Sequence, residues 1–215
     1  MHPSKKWHGE TLGKAAVEAL KRNGFDAVYV EDSATACQTV LSMIPSGATI
    51  GFGGSLTLEE TGLLSRLREG DYQLINPPWV ELSMSREQRL PLRRQAMVAD
   101  VFLSSTNALT LDGRLVNTDA TGNRLAPMMF GPKRTILVAG VNKITRSLDE
   151  ALDRVSSVAA PPNAKRLNCD TPCVTTGLCG DCRSKDRICN VTVILHRKTR
   201  GVDLSVVVVG EELGL

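Results

Sequence analysis

Five of the six cysteines, Cys169, Cys173, Cys179, Cys182 and Cys189, fall within one stretch of 21 residues. Thiolate is a soft ligand that zinc and iron–sulfur clusters select, and a short loop carrying four of them closes around a metal with little further loss of chain entropy. The spacing Cys-x3-Cys-x5-Cys-x2-Cys-x6-Cys matches neither the paired knuckles of a zinc ribbon nor the common bacterial ferredoxin run. The class of site, a metal centre, is therefore clearer than the metal. Cys179-Gly-Asp-Cys182 reads as a rigid hook, Cys173 and Cys189 approach from either side to make four, and Cys169 is the alternate. A disulfide pair or plain reduced thiols are the other readings.

A second place for chemistry is the turn Gly51-Phe-Gly-Gly-Ser55, between an apolar strand and a helix. Backbone N–H groups of Gly53, Gly54 and Ser55 can face an anion there at the positive end of the helix. Tight strand-to-helix packing explains the same glycines. The turn is no Walker loop and lacks the order of a dinucleotide fingerprint, so neither ATP nor NAD follows from it. Further polar groups, Asn107, the loop Asn117-Thr-Asp-Ala-Thr-Gly-Asn-Arg124, Lys133 and Lys143, border strand ends. In an open α/β sheet the crevice beyond the carboxyl ends of the strands binds ligands, and the cations Arg124, Lys133 and Lys143 would favour an acidic metabolite. Turn-forming Asn and Asp with solvated lysines are the plainer reading. Glu59, Glu60 and Asp119 are the carboxylates available for acid, base or nucleophilic work, although helix capping accounts for Glu60. Arg86, Arg89, Arg93 and Arg94 form a basic helix, a solvated face or a surface for a partner protein.

The elements that must position these groups alternate helix and strand, which predicts a mostly parallel, Rossmann-like sheet with helices on both faces. Helical spacing over 6–22 ends at Asn23-Gly24 and yields to a strand over 25–30. Ser33 is expected to cap a helix reaching Ile44, followed by a strand over 48–52. Thr57 to Glu60 reads as a capping box for the next helix, stopped by Gly70. A strand over 72–75, a helix over 85–99 containing Pro91, and a strand over 101–104 follow. Asp112-Gly113, between two alternating runs, predicts a β-hairpin that protrudes as an arm. Beyond it come a strand over 134–139 and a helix from Ser147 that Pro161-Pro162 should close at Ala159. Two apolar runs, 191–196 and 204–209, are expected to complete the sheet. The reading is one α/β domain over 1–215, with a cysteine-rich segment at 165–190 inserted before the last strands.

The chain's 215 residues suffice for one sizeable core. Its 26 basic and 23 acidic residues leave a net charge of +3, and aromatics make up only 4%, too few for a stacking surface. No nucleic-acid partner is expected. No signal-like start and no run of the roughly 20 apolar residues a membrane helix requires is present, so the expectation is a cytoplasmic protein without membrane insertion. In a reducing compartment clustered cysteines are ligands or redox groups more often than structural disulfides. Cys37 reads as core.

Taken together, Gly51-Phe-Gly-Gly-Ser-Leu-Thr-Leu58, Thr106-Asn-Ala-Leu-Thr-Leu-Asp-Gly-Arg-Leu-Val-Asn-Thr-Asp119, Gly122-Asn-Arg124, Gly131-Pro-Lys-Arg134 and Gly140-Val-Asn-Lys143 resemble the LUD (lactate utilisation) domain family. The likeness covers about residues 5–212, and the cysteine-bearing tail resembles that of stand-alone members. It implies a fold similar to the sugar-phosphate isomerase and CoA-transferase superfamily, with an added β-arm. It also implies a part in lactate oxidation to pyruvate beside iron–sulfur partner proteins. The expected ligand is thus a small anionic metabolite, lactate or another 2-hydroxy or 2-oxo acid, held by Gly53, Gly54, Ser55, Asn107, Asp119, Asn123, Arg124 and Lys133. Cys173, Cys179, Cys182 and Cys189 would carry a [4Fe-4S] cluster for electron transfer. A non-catalytic subunit or sensor with structural zinc is one alternative. Another is a transferase or isomerase on a phosphorylated or CoA-linked substrate, for which the superfamily likeness offers Glu59 or Glu60 as nucleophile.

Overall fold

The computed structural model describes residues 2–215, apart from the side chain of Arg86. Helix α1 (Pro3–Arg22) leads to strand β1 (Asp26–Val30), helix α2 (Ser33–Ser42) and strand β2 (Thr49–Phe52). Two short helices, α3 (Leu56–Glu60) and α4 (Leu63–Glu69), precede β3 (Gln73–Leu74), α5 (Pro78–Glu81), α6 (Arg86–Ala96) and β4 (Val101–Ser105). The hairpin β5 (Ala108–Thr110) and β6 (Leu115–Asp119) is followed by α7 (Ala126–Met129), β7 (Arg134–Gly140) and β8 (Ile144–Thr145). The chain then runs through α8 (Leu148–Arg154), α9 (Ala160–Arg166), α10 (Pro172–Thr176), β9 (Val191–Leu195) and β10 (Asp203–Val209).

Six strands in the order β1-β10-β7-β4-β2-β3 form one sheet, and every pairing in it is parallel. Alternation of side chains explains its two faces. Ile136 and Val138 of β7 and Val207 and Val209 of β10 point to the side covered by α2, α3 and α4, with Val40, Leu58, Leu63 and Leu67 in contact. Leu137, Ala139, Val206 and Val208 point to the side covered by Ala16, Val17 and Leu20 of α1. Helices cover both faces, so β7 and β10 carry the continuous apolar stretches 136–139 and 206–209.

The predicted hairpin arm is present and lies outside the parallel sheet, packed in a sheet of its own rather than free in solvent. β5 and β6 join β8 and β9 in a second, four-stranded sheet ordered β8-β5-β6-β9. Leu109 and Leu115 are fully buried and share a core with Leu137 and Leu20. Gly113 adopts φ 85°, a left-handed conformation that favours glycine, and a Cβ there would lie 2.6 Å from the backbone of Ala19 in α1. The hairpin tip is thus seated on α1. The run over 191–196 also joins this second sheet, pairing antiparallel with β6, while β10 enters the middle of the main sheet.

Three helix ends differ from expectation. Asp32, not Ser33, caps α2, its side chain accepting from Thr35 N at 2.7 Å. Ser55 caps α3 through Leu58 N at 3.3 Å, and Gly62 at φ 71° separates α3 from α4. The Thr57/Glu60 capping box is absent because both side chains are engaged elsewhere, Thr57 with Lys143 and Glu60 with Gly214 N. Pro161-Pro162 does not close the helix begun at Ser147. A π-helical turn, Val155–Ala159, links α8 to α9, whose first turn accommodates the prolines lacking N–H donors. Pro161 and Ala164 are then buried.

Candidate functional site

All six strands of the main sheet run the same way, so their carboxyl ends share one edge. Beyond β2 and β4, under the loop after β6 and the turn after β7, lies a crevice of about 450 Å³. Gly54, Ser55, Thr57, Ser105, Asn107, Asp119, Asn123, Arg124 and Lys143 line it from these loops. Of the ligand-binding residues expected from sequence, the fold brings six to this wall. Gly53 lies beneath it, where a Cβ would stand 2.6 Å from both Arg124 Cγ and Ser104 Oγ. The glycine makes room for the arginine.

Arg124 is the hub of the floor. Nη1 donates to Ser105 O at 3.0 Å and Asn117 Oδ1 at 3.3 Å, and Nη2 donates to Asn107 Oδ1 at 2.9 Å and Thr118 O at 2.8 Å. These four acceptors are all neutral oxygens. Asp119 does not pair with the guanidinium: its Oδ2 accepts from the backbone N–H of Arg124 at 3.0 Å and its Oδ1 from Ala120 N at 3.1 Å. Burial lowers the guanidinium's affinity for its proton, and the charge of Asp119 opposes this in part. Asn107 orients the hub and Asn123 Oδ1 accepts from Thr121 Oγ1 at 2.6 Å, shaping the loop.

Lys143, 4% exposed, is the second floor cation. Its Nζ donates to Thr57 Oγ1 at 2.8 Å and Ser105 Oγ at 2.9 Å. Desolvation, joined by the charges of Arg154 and Arg124 and opposed by Glu60, lowers its pKa to about 7. Neither Lys143 nor Arg124 forms a salt bridge among the described residues. Buried Arg154 braces the surroundings, donating from Nε to Asn142 O at 3.0 Å and from Nη1 to Asn107 O at 2.6 Å.

Lys133 lies at the opposite edge of the sheet. It precedes β7, its Nζ donates to Asp100 Oδ1 at 2.7 Å, and its side chain is 83% exposed. Strand polarity separates the two lysines: Lys143 follows β7 and Lys133 comes before it. Glu59 and Glu60 are exposed and line no part of the crevice. Thr57, Ser105 and Arg154 were not legible as site residues, because the contacts that recruit them span 38 to 86 positions of chain. Arg89 and Arg93 of the basic helix also face the crevice. Arg93 is held by Glu81, with Nη2 to Oε2 at 2.6 Å.

Cys173, Cys179, Cys182 and Cys189 line one small cavity of about 20 Å³ with Thr171, Gly180, Arg187 and Ile188. Cys169 lines the large crevice instead, and Cys189 lines both. All six cysteines are free thiols, and Cys37 is buried in the core. Among the described residues no group of three or more His, Cys, Asp or Glu side chains converges at metal-ligand geometry. Arg187 ties the segment together, donating to Cys182 O at 2.7 Å and Cys189 O at 3.0 Å while pairing with Asp181 at 2.7 Å. Burial raises the pKa of Cys189 and of Cys169, the latter aided by Asp186 and Cys173. The donor set of four thiols around one cavity fits a thiolate-bound metal group in number and chemistry. Asn190 fastens the segment to the crevice wall, its N–H donating to Asp119 O at 3.0 Å.

The family model for the LUD domain matches residues 13–209. The chain belongs to the LUD domain family. The structure of this LUD domain is similar to the crystal structure of a DUF162 family protein from Deinococcus radiodurans, with a TM-score of 0.53 and 13% identity. That similarity covers 94% of this chain and 98% of the other, and at such low identity it speaks for the fold alone. No curated protein matches the chain significantly. Among the described residues no helix is long and apolar enough to cross a membrane. Membership of the LUD family supports a role related to lactate utilisation.

Proposed function

We propose that this LUD protein binds a small anionic metabolite, a short 2-hydroxy or 2-oxo acid, in the crevice over Arg124 and Lys143. The observation that carries this reading is two cations on the floor of one cavity, hydrogen-bonded to neutral oxygens and, among the described residues, without an ion pair. Asp119 and Glu60 act on these two charges without pairing with them; a buried charge lacking a direct partner is expensive, and an anionic ligand supplies one. Asn107, Asp119 and Asn123 shape the wall, and Gly54 and Ser55 border the opening. Calorimetric titration with lactate and with pyruvate tests it. Saturable binding that weakens at least tenfold in Arg124→Gln is the expected result; no binding of either acid to the wild type overturns the reading.

The cysteine segment belongs to the same proposal as a metal-holding wall of this site. Cys173, Cys179, Cys182 and Cys189 would hold the group, with Cys169 as an alternate that faces the crevice. A [4Fe-4S] cluster there would supply one-electron transfer with a redox partner protein. Zinc is the second reading, since four thiolates are also the donor set of a closed structural zinc site. Iron, zinc and acid-labile sulfide measured on protein purified without oxygen decide between them. About four irons and four sulfides per chain mark the cluster and one zinc marks the structural ion; the absence of all three overturns the metal assignment.

A further inference from the structure

We infer that Lys143 is an amine nucleophile, and that its Nζ condenses with the carbonyl carbon of a short 2-oxo acid bound in the crevice. This deepens the anion-binding reading and rests on it. Three observations point the same way. The Nζ is held by two hydroxyls, Thr57 Oγ1 at 2.8 Å and Ser105 Oγ at 2.9 Å, and among the described residues by no carboxylate that would keep it an ammonium. Arg124 and Arg154 act on it as like charges, and the carboxylate that opposes them, Glu60, is committed to the N–H of Gly214 at 2.6 Å. Arg124 and Lys143 both contact Ser105, one through its carbonyl and the other through its hydroxyl. A carboxylate receptor and an amine are thus mounted on one residue.

The pairing of a carboxylate with an adjacent carbonyl in a 2-oxo acid matches that arrangement. A desolvated lysine beside other cations is the recognised way to obtain a neutral amine near neutral pH, and Lys143 is lowered to about 7 by these same causes. In the step, the Nζ lone pair forms a C–N bond to the carbonyl carbon, and the carbonyl oxygen departs as water carrying both amine protons. The product is an imine, with no net oxidation. The hydroxyls of Ser105 and Thr57, themselves 3.3 Å apart, are placed to relay protons between Nζ and the leaving oxygen.

Reductive trapping reads this out. The full chain is incubated with pyruvate and cyanoborohydride, which delivers hydride to the imine carbon while the nitrogen takes a proton from water, and the modified peptide is located by mass spectrometry. One reduced pyruvyl group on the peptide bearing Lys143 is expected, with lactate giving none because it has no carbonyl. Lys143→Arg, which keeps a cation but no nucleophile, should lose the adduct, and its thermal midpoint reports whether it folds. Pyruvate binding without any adduct at Lys143, or with adducts only on other lysines, overturns the inference and leaves the anion site standing. No binding and no adduct overturns both. The wild-type peptide map decides even if the variant fails to fold.

Discussion

At Gly53 a single added carbon would stand 2.6 Å from Arg124 Cγ and 2.6 Å from Ser104 Oγ, so the turn under the crevice is glycine for space. Gly53→Ala should displace Arg124, destabilise the protein by about 1–3 kcal/mol through overpacking, and weaken anion binding. A denaturant midpoint lowered at unchanged m-value, with binding lost in parallel, is the expected outcome. Lys143 makes a prediction of opposite character. Its folded-state pKa of about 7 lies below the ordinary 10.5, so between these values the unfolded chain holds more protons and stability rises with pH. The slope is at most about 1.4 kcal/mol per pH unit. Lys143→Met should flatten that rise, as measured by denaturant unfolding at pH values on either side of the window.

Among the elements, the cysteine segment is where the proposed metal group makes its prediction. Between α9 and β9 it contains one short helix, α10, and no strand, and its side-chain bonds are mostly local, such as Asp170 N–H to Asp186, Ser184 to Asp170 O and Arg187 to Cys182 O. A metal group would pin it. Cys179→Ser should therefore lower metal content and expose residues 169–189 to protease, while circular dichroism of the sheets stays unchanged. Equal metal content and equal cleavage rates would contradict this. The elements also show what the sequence made legible. β7 and β10 were readable because strands buried on both faces carry continuous apolar runs. The same cue misassigned Val191–Leu195, whose apolar run serves an edge of the second sheet. Pro161-Pro162 gave a local stop signal that a π-helical turn absorbs. Thr57 looked like a cap because its true partner, Lys143, lies 86 positions away.

At the scale of the molecule, a parallel sheet collects the carboxyl ends of its strands on one edge, and the second sheet and the cysteine segment close that edge into a crevice. Arg124 and Asn107 are recognisable as parts of it because they follow strands, whereas Lys133 precedes β7 and so falls at the opposite edge. As proposed, this crevice receives an anion over a floor of two cations, one of which titrates near neutrality. Lactate, which cannot form an imine, reads anion binding alone. Its dissociation constant should be measured from one pH unit below to one above the Lys143 midpoint of about 7. Lys143 is charged below the midpoint and neutral above it, so affinity should fall as pH rises, by up to about tenfold per unit at the steepest. An affinity that is flat or climbs across that range would contradict the account.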